Sequence, residues 1–161
     1  MRLFRIADKR RPLWDGSGAA QVGGRWNSPG RPVIYASLSY SCAMLEILAH
    51  AGIGRIPATH SHVIADVPDD VAIERRGVSS LPSDWDAEGS LSARVVGDRW
   101  LEEGRTAILI VPSVVARLEW NALVNPLHPD AVRLVVARPE PVIWDRRLFT
   151  STTARTSRHR T

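Results

Sequence analysis

The chain has 161 residues and 44% apolar content, enough for one domain with a sizeable core. A single cysteine, Cys42, excludes an intrachain disulfide framework and suits a reducing cytoplasm, and no apolar run is long enough to cross a membrane as a helix. The formal net charge is +4, but Arg155, Arg158 and Arg160 supply three of those charges with no acid after Thr150, which leaves a body near neutrality at +1 and argues against a concentrated nucleic-acid-binding face.

In chain order, the opening MRLFRIADKRR is basic and lacks the apolar stretch of a secretion signal. Residues 3–6 read as a short strand carrying Arg5, which on composition alone is an edge-strand surface charge. Residues 14–22 are rich in small residues and read as a connector. Gly23 and Gly24 can reach φ > 0, and successive backbone N–H groups in such a turn can form an anion-binding nest. Arg25 follows at once, with a guanidinium fork suited to phosphate oxygens. Asn27-Ser28-Pro29-Gly30 is turn chemistry. Residues 32–36 then read as a buried strand holding Tyr35.

The next segment reads as a helix with Ser39 as N-cap and Gly52 as its stop. Cys42, Leu45 and Ala49 share one face of it, and Glu46 lies beside that stripe. A carboxylate there is either a paired structural charge or a working acid/base. Residues 61–67 alternate as a strand. His60 and His62 share one strand face, but no further Cys/His cluster supports a metal site, so none is expected. Residues 90–103 predict a helix stopped by Gly104, with Val95, Val96, Trp100 and Leu101 partly inward. Trp85 and Trp100 read as core or lid packing rather than ligand stackers. Residues 106–111 predict a buried strand ended by Pro112-Ser113. Residues 120–126 read as a tight turn. Asn125, ahead of Pro126, has extended backbone and a loop-fixing amide. Residues 134–137 and 142–144 read as final strands, split by Pro139 and Pro141, which argue for an edge or a crossover.

The sum is an α+β domain of mixed sheets with a few helices, spanning residues 1–149, followed by a basic disordered tail at 150–161. No P-loop, GxGxxG, GxSxG or zinc motif occurs, which argues against an NTPase, a Rossmann oxidoreductase and an α/β-hydrolase.

The run GGRWNSPGRPVIYAS with LEILAH, and later VPSVV, NALVNPLHPD and WDRRLF, resembles the RES domain, the toxin of bacterial Xre–RES toxin–antitoxin modules. The resemblance spans nearly the whole chain, from Leu3 to about Phe149. It implies an ADP-ribosyltransferase-like fold, with facing sheets and NAD⁺ as substrate in the cleft, and no metal. The arginine, glutamate and serine that name the family fall on Arg25, Glu46 and Ser113, implied as catalytic. Arg5, Arg25, Tyr35 and Asn125 become the NAD⁺-binding candidates.

The implied chemistry is cleavage of the nicotinamide–ribose bond and transfer of ADP-ribose to water, phosphate or a protein of nucleotide metabolism. The implied partner is an Xre-family antitoxin with a DNA-binding domain, covering the Arg25/Glu46 side. The alternative is a non-enzymatic or nucleic-acid-binding module using the Arg-rich ends, which the near-neutral body disfavours. The expected location is the cytoplasm, with no direct nucleic-acid or membrane contact.

Overall fold

A computed structural model describes residues 1–51 and 57–149. The expected helix stop at Gly52 and the tail from Thr150 lie outside the described residues. The chain runs β1 (Arg2–Asp8), α1 (Ser17–Val22), β2 (Ile34–Ser37), α2 (Tyr40–Ala51), β3 (His60–Asp66), β4 (Ile73–Arg75), α3 (Leu91–Glu103), β5 (Ile108–Pro112), β6 (Trp120–Val124), β7 (Val135–Val136) and β8 (Glu140–Pro141). Among the described residues, no helix is long and apolar enough to cross a membrane.

The strands form one sheet in the order β4-β5-β6-β2-β1-β3-β7, with β8 also pairing with β3. Among the described residues only β4 and β5 pair in parallel. The architecture is α+β. The facing sheets implied by the resemblance are here one hydrogen-bonded path. The mixed sheet is curled, and Leu3 from β1, Ile34 and Ala36 from β2, Ala122 and Val124 from β6 and Ile108 and Ile110 from β5 form one apolar cluster on its inner face.

Strand alternation assigns the two faces. Ile34, Ala36, Ile108, Ile110, Ala122 and Val124 enter the cluster inside the curl. Tyr35, Leu109, Val111 and Leu123 point the other way, toward Trp26, Trp85, Ala93 and Trp100. Both faces of β5 are therefore covered, which is why its sequence is an unbroken apolar run.

Helix α3 closes the second face. The Ser90 hydroxyl accepts from the Ala93 N–H, and Gly104 ends the helix in the left-handed conformation at φ 57°. Trp85 and Trp100 are core residues as expected, but Ala93, Gly97 and Trp100 face inward and Val95 is exposed. Gly97 is there because a Cβ would sit 1.8 Å from the Trp26 carbonyl oxygen.

Several other expectations change. Residues 120–124 are a central strand, not part of a turn: Asn121 and Leu123 face one side, Ala122 and Val124 the other. Arg5 is on a central strand between β2 and β3, not an edge. Residues 17–22 are helical. Residues 142–144 carry no strand, and the strand containing Pro141 comes just before them. On α2, Cys42 and Ala43 face inward while Leu45 is exposed and Ala49 points out.

Tyr35 locks the turn before β2. Its hydroxyl donates to Asn27 Oδ1 at 2.7 Å and accepts from the Trp26 N–H at 3.1 Å. Asn27 is fully buried and donates through Nδ2 to the carbonyls of Ala19 and Arg31. Gly24 has no room for a Cβ, which would meet the Tyr35 hydroxyl at 2.5 Å.

Two predictions follow from this packing. Gly97→Ala should destabilise by about 1–3 kcal/mol or more, read by urea unfolding, because backbone carbonyl cannot yield. Gly18→Ala, in a helix with open space around it, should be neutral or stabilise by up to about 1 kcal/mol. An unchanged midpoint for Gly97→Ala would refute the contact. Burial first of all pushes the Tyr35 phenol up from 10.0 to about 12. Its stabilising contribution is thus complete below pH 10 and is lost as pH rises toward 12. Tyr35→Phe should be less stable at neutral pH and show a shallower alkaline decline over that window.

Candidate functional site

Glu46 reaches the sheet from α2. The helix is set in place by Ser39, whose hydroxyl accepts from the Cys42 N–H at 3.1 Å and donates to Glu119 Oε2 at 3.1 Å. One helical turn beyond buried Cys42, Glu46 sits half-buried above β6 and the end of β5.

The carboxylate is held asymmetrically. Oε1 accepts from the Ser113 hydroxyl at 2.8 Å and from Asn121 Nδ2 at 2.6 Å. Oε2 has no hydrogen-bond partner among the described residues and is not sealed from solvent. Ser113 is fully buried directly after β5, and its oxygen also accepts from the Ala116 N–H at 2.9 Å. Behind Asn121, Oδ1 accepts from the Ser37 hydroxyl at 2.7 Å and from the Cys42 thiol at 3.6 Å. Burial pushes the Cys42 thiol up; Ser37 and Ser113 oppose it and the charges of Glu46 and Glu119 add to it, with a net rise that keeps the thiol a protonated donor at neutral pH. A carboxylate with one oxygen anchored and the other presented can stabilise a developing cation or hold a substrate hydroxyl.

The structure thus brings Glu46 and Ser113 together. The other candidates are placed elsewhere. Arg25 donates through Nη1 to the carbonyls of Trp85 and Ala87, at 2.9 and 2.7 Å. Its Nε and Nη2 have no partner among the described residues. The turn amides beside it are not an open nest: those of Gly23, Gly24 and Trp26 donate to Ala19, Asn27 and Tyr35 oxygens. Arg5 donates to the carbonyls of Leu13, Tyr35 and Asp15. Burial lowers its pKa while Asp15 opposes. Tyr35 shares the sheet face of Ser37, two residues back along β2, with its hydroxyl already committed. Asn125 lies at the far end of β6 from Asn121 and accepts from the Leu127 N–H at 3.0 Å, fixing its own loop as its sequence context suggests.

Asn121 and Ser37 were not singled out in the sequence. The signal for Asn121 was the alternation in WNALV, which places one polar residue on an otherwise apolar buried row. A cavity of about 320 Å³ lies beyond the first turn of α2, lined by Phe4, Tyr40, His62, Ile64 and Glu140 among others; none of the candidate residues lines it.

Similarity to known proteins agrees with the residue pattern. Among curated proteins, the chain is 38% identical over 137 residues to the "Prs ADP-ribosylating toxin" of Sphingobium sp. (strain YBL2), covering 83% of this chain and 85% of that one. It is 34% identical over 133 residues to "Toxin Res" of Photorhabdus laumondii subsp. laumondii, covering 81% and 85%. Among solved structures, a chain of the M. tuberculosis MbcT-MbcA toxin-antitoxin complex shares the fold, with a TM-score of 0.71, 19% identity, and 88% and 83% of the two chains covered. The model of the RES domain matches residues 2–145, and with these relatives it shows that the chain belongs to the RES domain family.

Proposed function

We propose that this chain is the toxin of a toxin–antitoxin pair and that it cleaves NAD⁺ at the nicotinamide–ribose bond, passing ADP-ribose to an acceptor. The observation that carries the reading is the Glu46 carboxylate, with Oε1 held by Ser113 and Asn121 and Oε2 left to face a substrate. The names of the toxin relatives support it.

Nicotinamide in NAD⁺ is a pyridinium, so the C–N bond breaks with its electron pair going to the leaving group and no proton needed. Positive charge then gathers on the ribose, as in glycoside cleavage. Glu46 Oε2 stabilises that charge or holds a ribose hydroxyl beside it. The acceptor adds to the ribose carbon and loses its proton, for which Glu46 is the available base. Ser113 serves by holding the carboxylate. Arg25 offers its uncommitted Nε and Nη2 to the pyrophosphate. Tyr35 offers a ring face for the nicotinamide. Arg5 and Asn125 act from behind, through the loops they fix.

The acceptor is water, phosphate or a protein; the relative named for ADP-ribosylating Prs favours testing a protein acceptor early. The partner is a cognate antitoxin of the Xre type covering the Arg25/Glu46 side, and any DNA contact is that partner's.

Purified protein is expected to consume NAD⁺ and release nicotinamide, with Glu46→Gln slower by about 100-fold or more at unchanged melting temperature. Undiminished turnover in the mutant would rule out this mechanism. Dependence on added phosphate identifies phosphate as acceptor. If NAD⁺ alone is stable, labelled NAD⁺ in cell lysate should mark a protein in a Glu46-dependent way, and absence of such label would end the enzyme reading. Expression alone should arrest growth, and co-expression of the neighbouring antitoxin gene should relieve it; harmless expression of active protein would count against the toxin role.

A further inference from the structure

Asn121 does more than touch Glu46: its side chain is engaged at both ends. Nδ2 donates to Glu46 Oε1 at 2.6 Å, and Oδ1 accepts from Ser37 at 2.7 Å and Cys42 at 3.6 Å. An ionised carboxylate can only accept, so it demands an N–H from whatever faces it. An unrestrained amide can rotate by half a turn and present its oxygen instead. A flipped amide would set Oδ1 against the acceptor-only carboxylate, lose the Cys42 thiol's donation and force the Ser37 hydroxyl to turn from donor to acceptor. The row is built by strand register: Ser37 pairs with Asn121, and Asn121 with Val111, on adjacent strands.

We propose that Asn121 is a positioning residue for Glu46, kept in the productive amide orientation by Ser37 and Cys42, so that Oε1 is anchored and Oε2 alone meets the substrate. This rests on the NAD⁺ reading of Glu46. Ser113 could hold Oε1 alone, but one bond leaves the carboxylate free to swing about it; two donors from different strands fix its plane. An aspartate of nearly the same size would not serve, since it would set a second carboxylate against the first. Among the described residues, Cys42 lies within reach of the charges of both Glu46 and Glu119, and His50 bonds the Glu46 backbone carbonyl from the same helix.

The test uses the full chain with NAD⁺ as substrate. Asn121→Ala is expected to lower kcat about 10- to 100-fold with KM for NAD⁺ changed less than about threefold, the loss typical of one hydrogen bond to a charged group. Asn121→Asp is expected to move the acid limb of the pH–rate profile upward by a unit or more, because two close carboxylates share a proton. Ser37→Ala should lose several-fold in kcat and Ser37→Thr should restore it, a pair that stays informative if changes at Asn121 impair folding. Should Glu46→Gln abolish turnover while Asn121→Ala keeps wild-type kcat, or Asn121→Asp leave the acid limb in place, the positioning role is overturned. Full turnover in Glu46→Gln would instead remove the reaction itself.

Discussion

Everything at the candidate site depends on one half-buried carboxylate being held by one of its oxygens. Glu46 comes from a helix, Ser113 from the end of β5 and Asn121 from its neighbour β6, so the contact is made only when the helix and the β5–β6 pair are in register. A shift of one residue in the β2–β6 pairing would carry Asn121 to the other face, into the apolar cluster, and leave Glu46 above a methyl group. The apolar neighbours forbid that shift. Leu123 and Ala122 each have a face to fill, and the sheet curls around one set while α3 covers the other. The core thus fixes the register, and the register presents the amide.

The turn before β2 shows the same economy of donors. A Gly-Gly pair beside an arginine suggests an open cradle for an anion. In the folded chain its amides are directed inward, to Ala19, Asn27 and the Tyr35 hydroxyl. The glycines are needed for close approach: Gly23 at φ 75°, and Gly24 against Tyr35. The turn is a rigid mount, and Arg25 projects from it to hold the carbonyls of Trp85 and Ala87. Since Trp85 stacks on Trp26, that outer loop is tied to the second cluster as well.

What was legible in the sequence follows from which signals are local. The strand at residues 108–112 announces itself by an unbroken apolar run, and α3 by its helical spacing and a glycine stop. The cap of α2 at Ser39 was legible for the same reason. The family motif marked Glu46 and Ser113, and the fold brings them into contact across 67 positions. Residues 120–124 were misread because flanking Trp-Asn and Asn-Pro pairs look like turn chemistry, while burial on both faces removes the polar alternation that marks a strand. The inward face of α2 was misread because the carboxylate and Cys42 turn toward a polar row on the sheet, so the most apolar stripe is not the buried one. The alternation in WNALV marks Asn121 as the polar member of a buried row, but its contact with Glu46 depends on pairing with distant strands, which no local pattern encodes.

The two arginines near the turn illustrate how partner counting separates scaffold from ligand-facing groups. A guanidinium has five N–H donors on three nitrogens. Arg5 spends one N–H from each of its three nitrogens on carbonyls of its own chain, so its whole fork is turned to tying residues 13–15 to β2. Arg25 uses one nitrogen for two carbonyls and keeps an edge of the fork uncommitted among the described residues. A pyrophosphate could meet that edge with the Trp85 loop still in place. In the proposed reaction the direct anionic contact therefore falls to Arg25, and Arg5 contributes by keeping β2, and with it Ser37 and the amide row, where Glu46 needs them.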